Sequence, residues 1–289
     1  MTNTSRFGLV AAIALTLSAT SYGGQILYGI TDDDNLISIN TTTGAGTLIG
    51  AITLGGNPID VAPLGLASSG GNLYAYDTNN GLLRQIDPTT GAIVATVDLG
   101  IAFSTGEGDM TFRSDGTGYM ASTLDDTGSF GSGTLLSFST SPGSATVVNS
   151  TFGSYDGLAF VGNTLFGFDQ QGDSLSTIDT TTGAETLVGA TSILTIDPSS
   201  GFPIYGFGGL AYGPNDSVLY GDLSNFSASN LYTLDPSTGT GTLVGAIGYS
   251  EVDGLAFLAT TDSTPEPSTL VLLSGALLAA GAFRKRFDL

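Results

Sequence analysis

The sequence predicts an all-β protein, a five-bladed β-propeller closed by its last strand. Two observations support this fold class. The chain holds 43 Gly and only 11% of its residues are charged, whereas helical bundles need many Ala, Glu, Lys and Arg residues. In addition, a pattern of short strands and turns recurs at intervals of roughly 40 to 56 residues, a period typical of propeller blades.

Each repeat is centred on a turn that begins with Asp or Asn and ends with Gly. The first side chain can cap the turn, and Gly accepts the left-handed conformation that closes a short hairpin. The copies are residues 40–44, 87–91, 179–183 and 235–239, with 139–143 as a degraded fifth. We interpret the turn as structural.

Four short strands can be traced around each turn. The strand before the turn carries large apolar residues three positions apart, such as Leu36 and Ile39, which face opposite sides of a strand. Both faces of each sheet are therefore expected to be buried between neighbouring sheets. In the preceding strand a bulky residue precedes a small one, as in Tyr28 and Gly29, which suits close sheet packing.

The innermost strand explains how the ring closes. Its fifth copy, residues 254–257, follows the last turn, whereas the first repeat begins at Ile26 without one. We expect residues 254–257 to pair with the strand containing Tyr28, which leaves no exposed edge. A further copy of the turn pattern, residues 196–201, keeps six blades as the alternative. The turn resembles that of sugar-binding and quinoprotein-like propellers, a similarity of architecture that implies no active site.

Both ends of the chain carry export features. Arg6 precedes the apolar stretch 7–17, and small residues follow, as in a secretory signal peptide. Near the other end, an acidic-proline motif precedes the apolar run 270–283, and a basic cluster follows that run. The motif is Pro265, Glu266 and Pro267, and the cluster is Arg284, Lys285 and Arg286. A helix over residues 268–283 would be about 24 Å long, enough to cross a thin bilayer.

This order of features resembles the PEP-CTERM sorting signal. The resemblance implies processing by an exosortase-type membrane protease in a Gram-negative bacterium that makes exopolysaccharide. We expect a signal peptide at 1–23, a propeller at 24–260, a linker at 261–267 and a transmembrane sorting segment at 268–289. The protein would be exported across the inner membrane, anchored until processing, and then located at the cell surface or in the extracellular matrix.

Charge and composition exclude several functions. The segment 24–264 contains all the acidic residues except Glu266 and Asp288, which makes 24 acids against Arg84 and Arg113, a formal charge of −22. Nucleic acid and anionic lipid surfaces would repel it. The chain has no Cys and no His, which excludes disulfides, Ser-His-Asp and Cys-His catalysis, and His-ligated metal sites.

Acidic residues are expected to gather at the face where the innermost strands begin. The candidates are Glu107, Asp109, Asp156 and Asp253, with Asp60 nearby; on the adjacent hairpins lie Asp32, Asp33, Asp34, Asp77, Asp125, Asp126, Asp169 and Asp173. Grouped carboxylates can bind Ca²⁺, which prefers oxygen ligands. The alternative is that they are ordinary turn residues on a solvated rim, since no spaced calcium-loop motif occurs.

The sequence leaves three functions open. The first is a non-catalytic surface or matrix protein whose acidic face binds a glycan, a protein such as a surface protein, or calcium; Tyr155 and Tyr249 could contribute weak glycan contacts, although packing is the commoner role. The second is a carboxylate-dependent glycoside-active enzyme that uses Asp156, Asp253 and Glu107. The third is a purely structural spacer.

Overall fold

Short runs of Thr, Val, Ile and Leu, separated by Gly-containing turns, form strands throughout the body of the protein. The computed structural model describes residues 24–101, 108–124, 130–169, 172–193, 208–225 and 228–259. The predicted signal peptide, Glu107, Asp125, Asp126, the turn copy at 196–201, the linker and the sorting segment lie outside these ranges. One compact unit spans Gln25–Thr260.

The described strands follow one another in chain order. The first group is β1 (Gln25–Thr31), β2 (Asn35–Ile39), β3 (Gly46–Ala51), β4 (Thr53–Leu54), β5 (Asn57–Pro58), β6 (Pro63–Ser69), β7 (Asn72–Asp77), β8 (Leu82–Ile86) and β9 (Ile93–Asp98). The second group is β10 (Gly108–Phe112), β11 (Gly118–Leu124), β12 (Phe130–Thr140), β13 (Gly143–Phe152), β14 (Gly157–Val161), β15 (Thr164–Asp169), β16 (Ser174–Ile178) and β17 (Glu185–Ala190). The last group is β18 (Leu210–Gly213), β19 (Val218–Asn225), β20 (Ala228–Leu234), β21 (Gly241–Ala246) and β22 (Val252–Ala259).

Within the described ranges the strands form five four-stranded antiparallel sheets and one two-stranded hairpin. From the innermost strand outward, blade 1 is β22-β1-β2-β3, blade 2 is β6-β7-β8-β9 and blade 3 is β10-β11-β12-β13. Blade 4 is β14-β15-β16-β17 and blade 5 is β18-β19-β20-β21, while β4 and β5 form the small hairpin between blades 1 and 2. The protein is a five-bladed propeller, and the six-bladed alternative is not adopted.

The last strand closes the ring as predicted. In blade 1, β22 is hydrogen-bonded to β1, and Tyr28 lies opposite Ala256 while Gly29 lies opposite Leu255. The first and last strands of the described chain therefore share one sheet, which joins the two ends of the propeller. The innermost edge of blade 1 is supplied by the C-terminal part of the body.

The hydrophobic cores lie between neighbouring blades. Leu36 packs in the cluster shared by blades 1 and 2, whereas Ile39, three residues later, packs in the cluster shared by blades 5 and 1. Leu83 and Ile86 divide in the same way between two clusters. The prediction that both faces of each sheet are buried is confirmed, and each blade is stabilised by apolar burial on its two sides.

Five glycines occupy matching positions on the innermost strands near the propeller axis, one in each blade: Gly65, Gly108, Gly157, Gly209 and Gly254. At four of these positions a Cβ would meet the next blade, whereas at Gly108 it would meet Ala121 of the same blade. A Cβ atom at Gly254 would lie 2.3 Å from the backbone nitrogen of Leu66, and one at Gly209 would lie 2.7 Å from the Cα of Gly254. Since such contacts are too short for carbon, a side chain at either position would push two blades apart.

The repeated turn is a contact between blades as well as a hairpin. In the turn of blade 1, the backbone nitrogens of Thr42 and Thr43 donate to the Asn40 side chain at 2.9 and 3.0 Å. Gly44 then lies so close to blade 5 that a Cβ would be 2.5 Å from the carbonyl oxygen of Gly245. Gly239 of blade 5 approaches Gly189 of blade 4 in the same way. The turn therefore fixes the outer edge of each of these blades against the preceding blade.

The axial contact predicts a large effect of adding one methyl group. We expect Gly254→Ala to lower the free energy of unfolding of the unit Gln25–Thr260 by about 3 kcal/mol, because the new Cβ overlaps the backbone of blade 2. Denaturant unfolding followed by circular dichroism measures the change.

Gly70→Ala is the matched control. Gly70 has a positive φ of 58° but open space around a Cβ, so the Gly70→Ala variant should lose only about 1 kcal/mol of unfolding free energy. Equal losses in the two variants would contradict close backbone contact at the axis.

Candidate functional site

Acidic side chains from three loops meet at the end of the propeller where the innermost strands begin. The hairpin between β1 and β2 supplies Asp32, Asp33 and Asp34, the segment before β6 supplies Asp60, and the segment before β22 supplies Glu251; these five residues are called the acidic cluster below. The backbone nitrogen of Asp32 donates to the carbonyl of Glu251 at 2.9 Å. The backbone nitrogen of Val61 donates to the Asp34 carboxylate, also at 2.9 Å.

Three members of the acidic cluster, Asp32, Asp34 and Glu251, have a raised pKa and hold their protons more tightly than isolated carboxyl groups do. Burial raises the pKa of Asp34 to about 6, the hydrogen bond from Val61 opposes this change, and the charges of Asp60, Asp32 and Asp77 add to it. Partial burial and the neighbouring acids also raise the pKa of Asp32 and of Glu251. Mutual repulsion of this kind marks a surface with strong negative potential.

The two basic residues of the described chain lie elsewhere and are already paired. Arg84 forms a buried ion pair with Asp77, with Nη2 2.6 Å from Oδ2, and also donates to the Thr96 hydroxyl. Arg113 pairs with Asp115 at 2.7 Å on a more exposed surface. Neither arginine neutralises the acidic cluster, so its charge is available to a ligand.

A second set of aspartates is buried, one in each blade. They are Asp253, Asp77, Asp109, Asp156 and Asp222, and each is at most 6% exposed. Asp156 and Asp253, predicted to lie at the face of the propeller, immediately precede two of the axial glycines. The backbone nitrogen of Asp156 donates to the carbonyl of Phe168. These two carboxyl groups therefore lie inside the packed centre rather than on an open surface.

Asp109 lies at the axis itself. One carboxylate oxygen accepts hydrogen bonds from the backbone nitrogens of Leu158 in blade 4 and Leu210 in blade 5, at 2.8 and 3.1 Å, and the other accepts from Met110 at 2.8 Å. Complete burial raises the pKa of Asp109 well above its usual value, the three hydrogen bonds oppose this, and the charge of Asp222 adds to it. Asp109 therefore joins three blades at the axis.

The structure describes three of the four residues predicted to bind calcium, namely Asp109, Asp156 and Asp253. Glu107 lies outside the described residues, and both oxygens of Asp109 already accept backbone hydrogen bonds. Within the described ranges no three acidic side chains are arranged to hold a metal ion. The Asp169 carboxylate accepts a hydrogen bond from the backbone nitrogen of Gly172. The Asp173 carboxylate accepts from the Thr191 hydroxyl and from the backbone nitrogen of Ile193. The calcium site stays a prediction.

A groove opens beside the acidic cluster, between blades 5 and 1. Its volume is about 410 Å³, and its lining residues are Thr31, Asp33, Asn35, Ala228, Ser229, Ala246, Gly248, Tyr249 and Ser250. Tyr249 was expected from the sequence as a weak glycan contact. Asn35, Ser229 and Ser250 were not expected, because no local motif indicates that residues about 200 positions apart will share a surface.

No helix long and apolar enough to span a bilayer occurs in the part of the chain that the structure describes.

Comparison with known proteins gives a family match for the tail. Residues 263–286 match the model of the PEP-CTERM protein-sorting motif. Among solved structures, the chain is similar to one from the crystal structure of a Nidogen/Laminin complex, with 11% identity, 82% of this chain and 99% of that chain covered, and a TM-score of 0.47. None of the curated proteins compared matches the chain.

The raised pKa values predict that the protein loses stability as the pH rises from about 4. A carboxyl group whose pKa is higher in the folded state binds its proton more tightly there. Its stabilising effect is therefore complete when the pH is below the pKa of the unfolded state, and it is lost as the pH rises past the pKa of the folded state. For Asp34 this window lies between 3.8 and about 6. Asp34→Asn keeps an oxygen to accept from Val61 and should flatten the fall in unfolding free energy across this window.

Urea unfolding at pH values from 4 to 8 measures this effect. Asp98→Asn serves as the control, because Asp98 is exposed on β9 and outside the acidic cluster. Identical pH profiles for Asp34→Asn and the unmodified protein would show that Asp34 is not protonated near pH 6.

Proposed function

We propose that the protein is an exported, non-catalytic binding protein of the bacterial surface, and that its acidic cluster and the adjoining groove form its contact surface. The chain carries a PEP-CTERM sorting motif at residues 263–286. This motif implies export, anchoring in the membrane before processing, and processing by an exosortase in a Gram-negative bacterium. Location at the cell surface or in the exopolysaccharide matrix is the proposed outcome of that route.

One observation carries the proposal of binding: the hairpins and connecting segments of blades 1, 2 and 5 place a groove and an unneutralised acidic cluster side by side. Loops held by a rigid scaffold are the usual location of binding residues. The strands beneath these loops are fixed by two interblade cores. A partner would therefore meet a surface that is largely preformed, which reduces the entropic cost of binding.

Burial of Asp156 and Asp253, two of the three candidate catalytic carboxylates, supports a non-catalytic role, while the third, Glu107, lies outside the described residues. Asp156 is 3% exposed and Asp253 is 6% exposed, whereas glycoside hydrolysis needs two carboxyl groups on either side of a bound glycosidic bond. A substrate could reach these residues only if the groups that cover them moved. Binding at the open groove requires no such movement.

The tail provides the first test. In a Gram-negative host that has an exosortase, we expect the full chain to be exported and shortened at its C-terminus. Replacing Arg284, Lys285 and Arg286 together by Ala should reduce processing several-fold, because the positive cluster holds the tail at the cytoplasmic face of the membrane. Immunoblots of cytoplasmic, membrane and external fractions measure the outcome.

Arg284→Lys with Arg286→Lys is the matched control, since it preserves the positive charge and should be processed like the unmodified chain. Retention of the unmodified chain in the cytoplasm would contradict export. Normal processing of the triple Ala variant would contradict the role of the basic cluster.

The absence of catalysis is tested with chromogenic glycosides. We expect no turnover above buffer by the unit Gln25–Thr260, because two of the three candidate carboxylates, Asp156 and Asp253, are buried. Release of the chromophore is measured for this protein and for Asp156→Asn and Asp253→Asn. Turnover that disappears in either variant would establish the glycosidase alternative.

A further inference from the structure

We infer that the groove between blades 5 and 1 is a binding site for a neutral saccharide, one or two sugar rings long. This inference rests on the proposed binding function and assigns it a place and a ligand class. The groove volume of about 410 Å³ falls within the range of about 300 to 1,000 Å³ found for small-molecule sites. Three further features of the lining support the inference.

The first feature is an aromatic side chain held in a fixed position. Tyr249 is half-buried against the core shared by blades 5 and 1, and its ring lies where Gly46 has no side chain, since a Cβ there would be 3.0 Å from its Cδ2. The carbonyl of Tyr249 accepts from the backbone nitrogen of Ser229 at 2.9 Å. The ring therefore offers a preformed surface with an apolar body and a polar hydroxyl group, as ligand-contacting tyrosines often do.

The second feature is a set of polar groups from both blades around this ring. Blade 1 supplies the Asp33 carboxylate and the Asn35 amide, and the segment before β22 supplies the Ser250 hydroxyl, while Thr31 and Ser229 also line the groove but are only 2% and 1% exposed. The hairpin is held by its own hydrogen bonds, because Asn35 donates from its backbone to the Thr31 hydroxyl and from its side chain to the carbonyl of Asp33. Sugar hydroxyls both donate and accept, and this lining offers both kinds of partner.

The third feature is the sign of the charge. Asp33 is the one ionisable acid among the lining residues, and the nearby Asp32 and Glu251 add negative potential. Arg84 and Arg113, the basic residues of the described chain, are paired with Asp77 and Asp115. Uronates, phosphates and sulfated sugars would be repelled. A basic peptide is the alternative occupant, since it would pair with Asp33, and the oligolysine probe tests it.

The experiment is isothermal calorimetry on the unit Gln25–Thr260, which contains all five interblade cores. The probes are neutral oligosaccharides of glucose, galactose, mannose and N-acetylglucosamine, with oligoguluronate as the anionic comparison and oligolysine as the basic one. We expect at least one neutral series to bind and oligoguluronate not to bind. Tyr249→Ala should weaken binding by about tenfold, and Tyr249→Phe, which keeps the ring, by at most about threefold.

Controls separate a lost site from a lost fold. Tyr212→Ala removes a half-buried tyrosine of β18 outside the groove and should leave affinity unchanged. Because Tyr249 also contacts the core, Asn35→Ala provides a second groove variant on the surface hairpin, and it should weaken binding with no change in the circular dichroism spectrum.

Saccharide affinity that is unchanged in both Tyr249→Ala and Asn35→Ala would overturn the groove assignment, although a binding protein would remain. If only oligolysine binds, and Asp60→Asn with Glu251→Gln abolishes that binding, the saccharide inference fails while the proposed acidic contact surface stands. If none of the probes binds the unmodified protein, the saccharide inference is wrong.

Discussion

The architecture depends on the close approach of the innermost strands at the propeller axis, where a Cβ on four of the five matching glycines would meet the next blade. At Gly254 and Gly209 the neighbouring blade lies where a side chain would begin. Into this crowded centre the chain inserts the Asp109 carboxylate, which accepts backbone hydrogen bonds from blades 4 and 5. A buried carboxylate is costly unless it is well hydrogen-bonded, so the axis combines close backbone packing with one polar junction between blades.

The position of the candidate site follows from this arrangement. Since the inner strands meet at the axis, Asp156 and Asp253 are enclosed, and accessible surface is found farther out, between the blades. There the hairpin of blade 1 and the segments before β6 and β22 lie at the same end of the ring. Ring closure by β22 places Tyr249 and Ser250 beside Asp33, which joins the two ends of the body in one groove.

The repeat made the fold predictable, whereas the site depended on contacts that no repeat encodes. Leu36 and Ile39 predicted buried faces on both sides of a sheet, and the last strand predicted closure, because both signals are local patterns of burial. Asp109 was expected at the face where the innermost strands begin, but the pairing with β11 sets it opposite Ala121, where it is completely buried. The groove was missed because it is formed by distant segments that became neighbours only when the ring closed.

Amide hydrogen exchange at Leu158 and Leu210 tests the polar junction at the axis most directly. We expect both amides to exchange only when the whole propeller unfolds, because each donates to a fully buried carboxylate. Gly70, in an exposed turn, gives the fast reference rate within the same molecule. Exchange of Leu158 and Leu210 at a rate close to that of Gly70 would show that Asp109 does not join the blades, and would contradict the proposed axis.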